Sequence, residues 1–69
     1  MFTKYFSVKS GGAIHSEGKS TYDSTTKGFW IGDDKGTYKF NIGNNDKYLK
    51  WTGNEVQIKG EITADSGPL

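Results

Sequence analysis

A chain of 69 residues is one domain at most, and a chain of that size buries only about 60% of its unfolded surface when it folds alone. It has no cysteine to form a disulfide, and His15 is its sole histidine, too few donors for zinc; association between chains is therefore the expected reinforcement, with a self-sufficient mini-barrel as the alternative. The formal charge of +1, from nine lysines against eight acidic residues, offers no field for nucleic acid or an anionic membrane, and no apolar run approaches the roughly 20 residues that span a bilayer.

Met1-Phe2-Thr3-Lys4-Tyr5-Phe6 lacks the long apolar core of a secretory signal, and the absence of cysteine fits synthesis in the cytoplasm. Aromatic residues make up 14% and glycine supplies ten positions, a composition suited to short strands and tight turns and poor for helices. Phe2 to Val8 alternates imperfectly and predicts a strand that Gly11-Gly12 ends. Ala13-Ile14-His15-Ser16 predicts a short strand. Glu17 to Lys27 is polar and reads as a long loop, with Tyr22 as its anchor.

The second half is more regular. Phe29-Trp30-Ile31 predicts a strand, and Asp33-Asp34-Lys35-Gly36 a turn in which Gly36 takes positive φ. Thr37 to Ile42 has the cleanest period of two: Tyr38, Phe40 and Ile42 form the expected inner face, and Thr37, Lys39 and Asn41 the outer. Gly43-Asn44-Asn45-Asp46 is a second turn, Tyr48 to Trp51 a strand, and Thr52-Gly53-Asn54 a third turn. Val56 and Ile58 alternate with Gln57 and Lys59, Gly60 interrupts, and Ile62 and Ala64 resume the apolar side. The organisation expected is one small β module over residues 1–69. It divides into N-terminal strand and polar loop over 1–27, a regular meander over 28–64, and an exit segment over 65–69. The fold class is all-β: short antiparallel strands joined by tight Gly/Asn/Asp turns.

Candidates for chemistry are sparse. His15 could be a general base or a ligand on a three-fold axis, but no Ser-His-Asp spacing or second histidine accompanies it. Glu17, Glu55 and Glu61 could supply a glycosidase pair, yet nothing brings two of them together. Asp33-Asp34 and Asn44-Asn45-Asp46 are oxygen-rich but lack EF-hand spacing, and Asp and Asn are also what turns require. Gly32, Gly36 and Gly43 make no phosphate loop, since no Gly-Lys-Ser/Thr ending or helix follows. No catalytic residue, metal ligand or cofactor site is expected.

The aromatic set Phe29, Trp30, Tyr38, Phe40, Tyr48 and Trp51 is the strongest feature. It could be a platform for sugars or single-stranded nucleic acid. A chain this small cannot easily bury six rings, so division between its own core and a subunit interface is the favoured reading. Phe29, Trp30, Ile31, Tyr38, Phe40, Ile42, Leu49, Trp51, Val56 and Ile58 are the expected core and interface residues. Gly32, Gly36, Gly43, Gly53 and Gly60 are the expected turn glycines.

Gly28-Phe29-Trp30-Ile31-Gly32, then Lys39-Phe40-Asn41-Ile42-Gly43, then Tyr48-Leu49-Lys50-Trp51-Thr52-Gly53, then Ile58-Lys59-Gly60-Glu61-Ile62-Thr63-Ala64 resembles a pattern of phage and prophage tail proteins. The likeness extends over residues 11–64, with Thr52 standing where an Asp is common. It implies a structural segment of a tail fibre or tail tip, an intertwined or side-by-side β-rich homotrimer in the virion tail, assembled in the host cytoplasm. Its partners would be copies of itself and other tail proteins, and it would position adjoining receptor-binding or tail-attachment domains for host attachment. The chain is expected to be either a piece of a longer protein, which its ends fit, or a very small accessory protein. A tip that binds a receptor or host-surface carbohydrate through exposed Trp30, Trp51 or Tyr48 is the alternative, and an enzyme is not expected.

Overall fold

The computed structural model describes residues 7–63. Five strands, β1 (Ala13–His15), β2 (Gly28–Asp34), β3 (Thr37–Gly43), β4 (Tyr48–Trp51) and β5 (Val56–Lys59), form one open sheet in the order β1-β2-β3-β4-β5. Every neighbouring pair is antiparallel. The protein is thus an all-β meander, and no helix occurs among the described residues. Of the strand expected over Phe2–Val8, residues 2–6 lie outside the described part, and Ser7 and Val8 are not in a strand. Ala64 and the exit segment 65–69 also lie outside it.

Local chemistry explains each reversal. Lys35 and Gly36 both take positive φ, 54° and 95°, as the two central residues of a tight hairpin whose twist matches that of its strands. Asp33 Oδ1 accepts the Gly36 N–H at 2.8 Å and steadies that turn. Between β3 and β4, Asn44 Oδ1 accepts the N–H groups of Asp46 and Lys47 at 2.8 and 2.9 Å. Between β4 and β5, Thr52 Oγ1 accepts those of Asn54 and Glu55 at 3.3 and 3.2 Å. Asn44-Asn45-Asp46 therefore serves as a turn, whereas Asp33 and Asp34, expected in one, end β2 and leave the turn to Lys35-Gly36, which Asp33 supports from the strand.

Gly32 corrects the expectation that it belongs to a turn. It is buried inside β2 opposite Ala13, where an added Cβ would stand 2.5 Å from the Gly12 carbonyl and 2.6 Å from Ala13 Cα. Its role is close approach of two backbones. Gly36 and Gly53 lie in turns as expected, whereas Gly43 ends β3 and Gly60 follows β5.

The connection from β1 to β2 covers one face of the sheet. Strand register puts His15, Trp30, Asn41, Lys50 and Gln57 in one row on that side. Trp30 is 5% exposed and is the buried large apolar residue of the described chain, and Asn41 and Lys19 are buried with it. Tyr22 reaches over Trp30 edge to face, with ring centroids 6.0 Å apart, so it anchors the loop.

This reverses the expected sidedness. Lys39 and Asn41, expected to face outward, lie on the loop-covered side, while Phe29 and Tyr38 on the other are 39% and 53% exposed. The polar side is covered because the loop offers it carbonyl groups. Asn41 Nδ2 donates to the Tyr22 carbonyl at 2.7 Å, and Lys19 Nζ donates to those of Ser24 and Thr26 at 2.7 and 2.9 Å.

Candidate functional site: an open apolar sheet face

Residues directly opposed across antiparallel strands share a face. Register therefore assembles Ile14, Ile31, Phe40, Trp51 and Val56 into one row across all five strands, and Phe29, Ile42, Leu49 and Ile58 into a second beside it. Tyr38 extends the patch opposite Asp33. Every expected core and interface residue except Trp30 lies on this side. Ile14, Phe29, Ile31, Ile42 and Leu49 are 37–45% exposed, Ile58 is 47% and Val56 55%, and Phe40 and Trp51 are partly covered by their neighbours.

Eight of these residues, each 37–55% exposed, make up one contiguous apolar face. Single folded chains rarely leave more than roughly 300–600 Å² in one patch, and each side of a standard protein interface covers about 800 Å². The patch is continuous because the strands alternate strictly and no bulge interrupts the rows. Asp33, opposite Tyr38, is held at the rim, where its Oδ2 accepts the Gly11 N–H at 2.6 Å.

The opposite side is polar and largely self-satisfied. Burial, and then the charge of Lys50, pull the Lys19 ammonium below its usual pKa. Burial raises the Tyr22 phenol, with Lys39 opposing and Asp34 and Tyr48 adding to the rise. A hydrogen bond to Asp34 leads the causes that raise Lys39, whose ammonium lies 2.8 Å from that carboxylate and 4.7 Å from the centre of the Tyr22 ring. Two buried polar atoms on directly opposed residues, Trp30 Nε1 and Asn41 Oδ1, have no hydrogen-bond partner among the described residues. The Lys19–Asn41 arrangement escapes sequence reasoning, because a lysine in a polar loop carries no periodic signal.

The other candidates stay apart. His15 is exposed on the edge strand β1, on the side away from the apolar face, and its Nδ1 stands 2.9 Å from the Ser16 carbonyl. Glu17 follows β1, Glu55 sits in the last turn and Glu61 follows β5, all exposed. Among the described residues no three His, Cys, Asp or Glu side chains group as metal ligands, and no helix is long and apolar enough to cross a membrane. Of the aromatics suggested for sugar stacking, Trp30 is buried, and Tyr48 lies under the Lys50 ammonium, 4.2 Å from its ring centre. No protein family, curated protein or solved structure matches this chain.

Proposed function

We propose that this chain is a structural module of the phage tail or tail-fibre type, acting without catalysis by holding copies of itself in register through the apolar face. Trimerisation would set three such faces around an axis and position adjoining receptor-binding or attachment domains. The observation that carries the reading is the unbroken apolar patch across all five strands, opposite a polar side that the chain covers with its own loop. Removing such surface from water is the main drive for association, and a cysteine-free chain of this length has little else to reinforce it.

Light scattering across a concentration series tests this directly. The expected mass is three chains, falling to one in Ile42→Lys, which places a charge at the middle of the second row. A monomer at every concentration, with Ile42→Lys equally well folded, would sink the proposal. Saturable quenching of Trp51 by a host polysaccharide in that monomer would then favour the carbohydrate-binding alternative, of whose three aromatics Trp51 lies on the apolar face.

A further inference from the structure

We propose that neighbouring copies also join edge to edge, β5 of one chain pairing in parallel with β1 of the next, so that the sheets close into a ring around their apolar faces. This rests on the self-assembly reading and adds the seam between chains.

Strand direction comes first. Five strands that alternate in direction leave β1 and β5 running the same way. Rotation about an axis along the strands preserves direction, so the end of one sheet meets the start of the next in parallel. Such head-to-tail contacts close rings when the rotation closes.

The phase of the hydrogen bonds is the sharper observation. In an antiparallel pair, alternate residues exchange both backbone bonds with the partner, and those between them point outward. Asp33 N–H donates to the Gly12 carbonyl at 2.9 Å and Ser16 N–H to the Phe29 carbonyl at 3.0 Å. Ile14 is thereby bonded toward β2, and the backbone groups of Ala13 and His15 point away from the sheet. Thr52 N–H donates to the Glu55 carbonyl at 3.0 Å, which places Gln57 and Lys59 in the bonded positions toward β4. Val56 and Ile58 point their backbone groups outward. A parallel ladder requires that the outward residues of its two strands lie on opposite sides of the sheet. Val56 and Ile58 belong to the apolar side, and Ala13 and His15 to the other. The edges therefore match without a bulge, and Ile14 of one chain comes to lie beside Val56 or Ile58 of the next, on the apolar side. The opposite phase on either edge would have turned Ile14 to the wrong side.

Length and composition agree. The two edges are three and four residues long, Ala13-Ile14-His15 and Val56-Gln57-Ile58-Lys59. Neither edge carries a Pro or a bulge; their shortness and Lys59 at one end limit uncontrolled pairing while leaving enough backbone for one short seam. Ile14 and Val56 are also the open ends of the five-residue apolar row, which the seam makes continuous.

The absence of native cysteine makes cross-linking clean. Ile14→Cys combined with Val56→Cys, and Ile14→Cys combined with Ile58→Cys, sample the two registers that keep this phase. Adjacent strands bring Cα atoms within the roughly 4.4–6.8 Å that a disulfide spans. Under mild oxidation one pair should link chains into a ladder ending at the number of chains found by light scattering, while each single variant stays unlinked. An assembly of that mass in which neither pair links overturns the seam and leaves the face reading intact. Dimers from Val56→Cys alone would replace it with a symmetric β5–β5 contact, and a monomer at all concentrations would overturn both readings.

Discussion

Lys19 is the part of this fold whose contribution can be worked out most directly. Its side chain is fully buried, and its ammonium holds the carbonyls of Ser24 and Thr26, fixing the shape of the loop of residues 16–27 whose Tyr22 packs on Trp30. Hydrogen bonds to a charged group contribute about 1.5–3 kcal/mol each, but taking the ammonium out of water cancels part of that. Lys19→Ala also removes the buried stem, and the expected net loss is about 2–4 kcal/mol. A domain of 69 residues has on the order of 3–10 kcal/mol in total, so the change is large. At about 4–8 °C per kcal/mol the melting temperature should fall by at least about 8 °C. Thermal unfolding followed by circular dichroism at fixed protein concentration measures this, and Trp30 fluorescence should move to longer wavelength as Tyr22 lifts away. Lys19→Met keeps most of the volume and should cost less, about 1–3 kcal/mol, from the two carbonyls left without their donor. A fall below about 4 °C in Lys19→Ala would refute the claim that this lysine holds the loop.

The pH dependence offers a second arm to the same test. Burial lowers the Lys19 pKa from 10.5 in the folded chain. Between its folded and unfolded values the unfolded chain binds the proton and the folded chain does not, so this group's contribution to stability rises with pH in that window. The neutral amine keeps two N–H groups, enough for both carbonyls. Stability of the wild type relative to Lys19→Met should therefore grow as pH climbs toward 10.5. Comparing the two proteins largely cancels Tyr22, whose raised pKa has the opposite sign and removes stability as pH rises through its folded value. A difference independent of pH would contradict the assignment.

Two backbone predictions follow from the glycine and hairpin geometry. Gly32→Ala should destabilise by about 2–3 kcal/mol, read from urea unfolding, because its Cβ would collide with the Gly12 carbonyl and Ala13 Cα; a change under about 0.5 kcal/mol would show that β1 can move aside freely. Lys35→Asn should stabilise by roughly 0.5–1 kcal/mol, since Asn tolerates the positive φ of that position better than Lys and completes an Asn-Gly hairpin turn; an unchanged melting temperature would refute this.

The local grammar of the chain was legible from its residues. Thr37 to Ile42 alternates too cleanly to be anything but a strand, and Asp33, Asn44 and Thr52 carry the side chains that the three turns use. The grouping of Phe29, Ile31, Tyr38, Phe40, Ile42, Leu49, Trp51, Val56 and Ile58 on one side follows from that period of two once hairpin register is set. Which side the chain would cover was decided only by its tertiary structure. Alternation separates two faces without saying what lies over either, and hydrophobicity alone pointed to the wrong one for Phe29 and Tyr38. The loop between β1 and β2 has little apolar surface to give; its carbonyls are matched instead by Asn41 from the sheet and by Lys19 from within the loop. That match links residues as far apart in sequence as Tyr22 and Asn41, a separation that no periodic reading spans, and it leaves the apolar face open.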